Sequence, residues 1–186
     1  MSNTIKTSNQ PDRDELEKFQ IYRFGIMVNS LDMSQKCFYI VKQLNELVDQ
    51  SYRFSPYVFY KEYAKSVDVN RFCSLQDKEA WAFDAPVIAT DLESAQTLIH
   101  LPQPTRKFFY VWNLEWIFNN YTYGYLQDLY QNDELELIAR NESHADLITK
   151  CWKKPVDIMD NFDYNILQKI AKNTYNIYLE DENDRL

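Results

Sequence analysis

A carboxylate set between two indoles is the clearest arrangement for chemistry in this chain: Trp112-Asn113-Leu114-Glu115-Trp116. Apolar faces around a carboxyl raise its pKa by desolvation, and aromatic faces paired with a polar group suit a sugar-binding cleft. The same spacing fits a plainer reading, in which Trp112 and Trp116 anchor the core and Glu115 is an exposed or capping residue. His144, one of two histidines, falls in the first turn of an expected helix. As a general base it requires a carboxylate orienter and a substrate hydroxyl within hydrogen-bond reach; otherwise it is a capping or surface residue. His100, next to Leu101-Pro102 at a helix end, reads as a partner of the helix dipole.

These residues gain meaning from the elements that must hold them. In open α/β sheets, ligands sit beyond the carboxyl ends of the strands, where loops lead into helices. That rule selects Asn29-Ser30-Leu31-Asp32, Thr90-Asp91, Asn113-Leu114-Glu115-Trp116 and Arg140-Asn141-Glu142-Ser143-His144. Glu115 and His144 are the catalytic candidates; Asn29, Asp91, Trp112, Trp116 and Arg140 are the substrate-binding candidates, and all converge on one sheet edge. Asp32 and Asp91 also stand at helix starts, where capping alone explains an aspartate.

The strands are apolar runs: 21–29, 56–60, 86–90, 107–112 and one entering at Leu137, with a further short one around Val156–Met159. Between them lie helical periodicities. Met33, Cys37, Ile40, Val41, Leu44, Leu47 and Val48 recur every three to four residues behind Asp32, which reads as an N-cap with Gln35 as its capping-box partner. Thr90-Asp91-Leu92-Glu93 reads as a capping box opening a second helix, which Pro102 and Pro104 end. Residues 121–131 read as helix despite Gly124, and Asp163 caps a last helix carrying Ile166, Leu167 and Ile170. The stretch 61–81 is less patterned, with a short strand near Val69–Phe72 and a helical turn over Leu75–Trp81. Alternation of this kind predicts an α/β fold, a Rossmann-like three-layer sandwich with a mainly parallel sheet. Residues 1–18 read as a flexible segment, 19–176 as the single domain, and 177–186 as an acidic tail.

Composition removes several function classes. A net charge of −8 opposes binding to nucleic acid. The two glycines, Gly25 and Gly124, are isolated, which excludes a dinucleotide fingerprint and a phosphate-cradling Walker loop. Cys37, Cys73 and Cys151 lack zinc-ligand or disulfide spacing, so neither metal nor cofactor is expected, and a reducing, cytosolic setting fits. No apolar run reaches the roughly 18–20 residues that span a bilayer, and no basic-then-apolar leader opens the chain, so a soluble, intracellular protein is expected. Nucleophile elbows and metal-spaced carboxylate pairs are lacking as well.

Two stretches carry a family resemblance. Ile138-Ala139-Arg140-Asn141-Glu142-Ser143 resembles the strand and Ser-containing turn, and Ile158-Met159-Asp160-Asn161-Phe162-Asp163 the pre-linker turn, that close the N-terminal, acceptor-side domain of GT-B glycosyltransferases. The likeness runs over about residues 21–170, with its specific part in Leu137–Asp163. Phe162 stands where that turn usually has Gly, and the Gly-rich loop that many members carry after their first strand is missing. The resemblance implies a Rossmann-like domain binding a sugar or glycan acceptor. Donor binding belongs to the family's second domain, and nothing after Asp163 is long enough to build one. Sugar transfer would then require a protein partner or a homodimer. The alternative is a non-catalytic protein-interaction module that retains the fold, a reading favoured by 14 Tyr, 11 Phe and 4 Trp.

Overall fold

A computed structural model describes residues 20–63, 70–118 and 120–183. The expected flexible segment 1–18 lies outside the described residues, as does Val69. Seven strands form one all-parallel sheet in the order β3-β2-β1-β4-β5-β6-β7. They are β1 (Tyr22–Leu31), β2 (Phe54–Tyr63), β3 (Cys73–Gln76), β4 (Val87–Ala89), β5 (Lys107–Val111), β6 (Leu135–Ala139) and β7 (Asp157–Ile158). The helices are α1 (Gln35–Gln50), α2 (Leu92–Ile99), α3 (Glu115–Phe118), α4 (Tyr123–Tyr130), α5 (Glu142–Cys151) and α6 (Tyr164–Asn183). The three-layer α/β sandwich is thus realised.

Strand alternation feeds two cores. Phe24, Ile26 and Val28 of β1 and Phe108 and Tyr110 of β5 face one side, where α1 contributes Ile40, Leu44 and Leu47 and α6 contributes Leu167 and Ile170. Met27, Phe109, Val111 and Leu137 face the other, under Leu92, Ala95 and Leu98 of α2, Leu129 and Tyr130 of α4, and Ile148 of α5. Burial on both faces is what a central parallel strand demands, and Phe24 to Val28 are buried without a break.

Gly25 is required by that packing. A Cβ there would meet Phe59 Cε2 at 2.7 Å and Val87 Cγ2 at 3.2 Å, and Phe59 is fully buried with no room to swing away. Gly25→Ala is therefore expected to lower stability by about 1–3 kcal/mol through overpacking. A denaturation midpoint equal to that of the unsubstituted chain would contradict this.

Several local expectations shift. Ser34, not Asp32, caps α1: its hydroxyl accepts from the Cys37 N–H at 3.4 Å, while Asp32 Oδ1 accepts from the Ser34 N–H at 2.8 Å one turn earlier. Met33 consequently precedes the helix and is exposed. The capping box of α2 is Asp91 with Ser94, one residue later than Thr90 with Glu93, because Thr90 is buried and its hydroxyl donates to the Met27 carbonyl at 3.2 Å. Among the described residues of the unpatterned region the short strand is Cys73–Gln76, with Asn70–Phe72 outside it, followed by a 3-10 turn over Asp77–Ala82. At the other end, α6 continues to Asn183, so most of the expected acidic tail is helix; extending a nucleated helix fixes one residue per hydrogen bond and costs little. Asp163 does cap α6, its Oδ1 accepting from the Asn165 N–H at 2.8 Å.

Candidate functional site

The strand order turns at β1, whose neighbours are β2 on one side and β4 on the other. The chain leaves β1 into α1 on one face of the sheet and leaves β4 into α2 on the opposite face. The loops separate there, and a crevice opens beyond the carboxyl ends of the strands, as it does at topological switch points generally. It encloses about 520 Å³ and is lined by residues including Asn29, Lys36, Asp91, Trp112, Glu115 and Tyr121.

Asp91 is the structural centre of this crevice. Its Oδ2 accepts from Lys36 Nζ at 2.9 Å and from the Asn29 N–H at 3.2 Å, and its Oδ1 accepts from the Ser94 N–H at 2.9 Å. Burial opposes ionisation of the carboxyl most strongly, but the Lys36 ammonium and the Ser94 donors outweigh it and hold the pKa below the ordinary value. Both of its oxygens are engaged by protein donors, so Asp91 shapes the site and orients Lys36. Lys36 was not legible beforehand: a lysine in the first turn of an amphipathic helix ordinarily reads as a solvated face.

Glu115 opens α3 and reaches across the crevice floor, its Oε2 3.4 Å from the Leu92 N–H at the start of α2. Burial, then the nearby Asp91 charge, raises its pKa, with the Leu92 N–H acting the other way. The two carboxyls therefore titrate apart. A carboxyl with a raised pKa is suited to proton transfer, which Asp91 is not.

The pH dependence follows from these directions. Asp91, with a lowered folded value, contributes stability that is present above its ordinary 3.8 and lost as pH falls through the folded value. Glu115, with a raised folded value, contributes stability that is present below its ordinary 4.5 and lost as pH rises through the folded value. The variant Glu115→Gln should therefore gain stability relative to the unsubstituted chain as pH rises from about 4 to 7. A difference in melting temperature that stays flat across that range would contradict the assignment.

The two indoles do not flank Glu115 as a pair. Trp112 ends β5 on the α1/α6 side, stacked on Phe162 with ring centroids 5.5 Å apart and covered by the Arg140 guanidinium 3.9 Å above its ring. Trp116 turns to the opposite face and meets Tyr130 and Trp152 edge-on, at 5.0 and 6.0 Å. A strand-to-helix change between positions 112 and 116 sends side chains at that spacing to different layers. Trp116 is thus a packing residue, whereas Trp112 both packs and borders the crevice.

Arg140 and His144 lie one strand further on and are not among the residues lining the crevice. Arg140 Nη2 donates to Asn161 Oδ1 at 3.1 Å, tying β6 to the turn after β7. At the start of α5, the His144 N–H donates to its N-cap Asn141 at 2.9 Å. Burial lowers the imidazole pKa, the Val111 carbonyl raises it and Arg140 lowers it further, and its Nδ1 is buried without a hydrogen-bond partner. Asn29 lies in the last residues of β1 and the other six candidates follow the ends of β4, β5 and β6, but only Asn29, Asp91, Trp112 and Glu115 meet in the crevice.

Two features of the crevice constrain its ligand. Asn29, Ser30, Asn113 and Tyr121 supply neutral polar groups, and Asp32, Asp91, Glu93 and Glu115 outnumber Lys36 on the walls. An acceptor-rich, anionic cleft favours ligands that donate hydrogen bonds and disfavours phosphates. Among the described residues, no cluster of His, Cys, Asp and Glu is arranged to hold a metal ion, and no described helix is long and apolar enough to cross a membrane. No known protein family, curated protein or solved structure matches the chain.

Proposed function

We propose that this chain is a glycosyltransferase-like, acceptor-side domain that binds a neutral, polyhydroxylated sugar in the switch-point crevice. The observation that carries the reading is a crevice in which Asn29, Ser30, Asn113 and Tyr121 present neutral polar groups while four carboxylates outnumber the single cation Lys36. Sugar hydroxyls both donate and accept hydrogen bonds, without the negative charge that the carboxylates reject. The family likeness of the Leu137–Asp163 stretch and the single parallel sheet point the same way.

In this reading Glu115 is the general base. It borders the crevice and has the raised pKa, whereas His144 stands outside it. Glu115 would take the proton of an acceptor hydroxyl as that oxygen bonds to the anomeric carbon of a nucleotide sugar, whose diphosphate leaves with the bonding pair. The donor would be held by a partner chain or a second copy, since the described loops contain no glycine-rich phosphate cradle. The three free cysteines, two of them exposed, accord with a reducing, cytosolic setting.

Calorimetric titration tests this. Neutral saccharides should bind saturably and nucleotide sugars should not; micromolar binding of a nucleotide sugar by the isolated chain would overturn the acceptor-side assignment. A non-catalytic interaction module is the second reading. It rests on Ile117, Phe118 and Tyr123, large apolar or aromatic side chains that are each exposed.

A further inference from the structure

A second cavity of about 250 Å³ lies beside the crevice, lined by residues including Met27, Asn29, Lys61, Glu93, Thr97 and Tyr125. Asn29 and Glu93 belong to both cavities. The aromatic lining is continuous as well: Tyr121 borders the crevice, Tyr125 borders the second cavity, and their rings stack with centroids 5.5 Å apart at 25°. Tyr125 is braced, its hydroxyl 3.5 Å from the Leu92 carbonyl. The two cavities are therefore lobes of one cleft, with Asn29 and Glu93 at the junction and one tyrosine bordering each lobe.

Resting on the sugar-binding reading above, we infer that the cleft is built for an oligosaccharide of at least two units, one ring in each lobe. Pyranose rings pack their C–H groups on aromatic surface, and Tyr121 in one lobe and Tyr125 in the other offer one contact to each sugar. Hydroxyls near the glycosidic linkage would meet Asn29 and Glu93 at the junction. An extended polycation would answer the charge of the cleft, where only Asp91 and Glu93 of the described carboxylates are paired, with Lys36 at 2.9 Å and Lys61 at 3.7 Å, but it brings no sugar-ring face to Tyr121 and Tyr125.

The test is calorimetry on the full chain with maltose, cellobiose, lactose and chitobiose, each against its constituent monosaccharides. At least one disaccharide should bind about tenfold more tightly than its monosaccharides. Thr97→Trp, at an exposed position of α2, fills the second lobe and should bring that ratio close to one; Tyr125→Ala should do the same, with circular dichroism confirming the fold of both. Ratios within about twofold for every disaccharide, or a ratio that survives Thr97→Trp, would overturn the extended cleft while leaving monosaccharide binding intact. Tighter binding of spermidine than of any saccharide would also overturn it. Binding of no saccharide at all would remove both this inference and the function on which it rests.

Discussion

Asp91→Asn is expected to destabilise the fold by about 3–5 kcal/mol at neutral pH, the range for breaking a buried ion pair from one side. Asn preserves an oxygen that can accept from the Ser94 N–H and is itself a good cap, so the capping of α2 is retained. What is lost is the negative partner of Lys36, whose side chain is only 19% exposed and whose other acceptor is the Thr90 carbonyl at 3.4 Å. An ammonium left at that site has little water to solvate it. Adding Lys36→Met to Asp91→Asn should recover much of the loss, since a neutral pair removes the uncompensated charge. Denaturant titration of the two variants measures both effects. A single variant as stable as the unsubstituted chain would show that the attraction merely cancels the desolvation it requires.

Trp112→Ala should cost about 3–5 kcal/mol, as large aromatic truncations in cores do. Its ring stacks on Phe162, meets Tyr110 edge-on at 5.9 Å and lies under Arg140. The consequence extends beyond lost contact. Phe162 and Asn161 both have positive φ, 62° and 46°, a region that costs a side-chain-bearing residue about 1–2 kcal/mol. Phe162 is held there by complete burial against Trp112 and Tyr110, while Tyr110 donates to the Met159 carbonyl at 2.6 Å. Removing the indole should therefore also raise amide exchange across Met159–Asp163. Unchanged exchange there would mean the turn is held by the Arg140–Asn161 bond and the Tyr110 hydroxyl alone.

The positive-φ turn marks where sequence reading met its limit. A Phe in place of the glycine of a similar turn signals a different shape from the sequence, but the compensating aromatic cage joins residues far apart in the chain. β1, β5, α1 and α2 were legible because long apolar runs and helical periodicity encode burial directly. β3 was not, being a four-residue edge strand of mixed burial next to a 3-10 turn. The short α3 was hidden for a similar reason: four residues hold barely one helical turn, and that turn separates Trp112 from Trp116. Asn29, Asp91 and Glu115 were found by the strand-end rule, whereas Lys36 and Tyr121 come from a helix face and a loop that only the folded chain brings to the crevice.

Amide NMR titration of the chain with a neutral disaccharide tests the central claim most directly. Saturable shifts concentrated at Asn29, Asp91, Asn113, Glu115 and Tyr125, with no response there to a nucleotide sugar, are the predicted result. Shifts confined to the separate groove along Glu142–Ile158, or a nucleotide sugar perturbing the Asn29–Asp91 region in place of the saccharide, would contradict it.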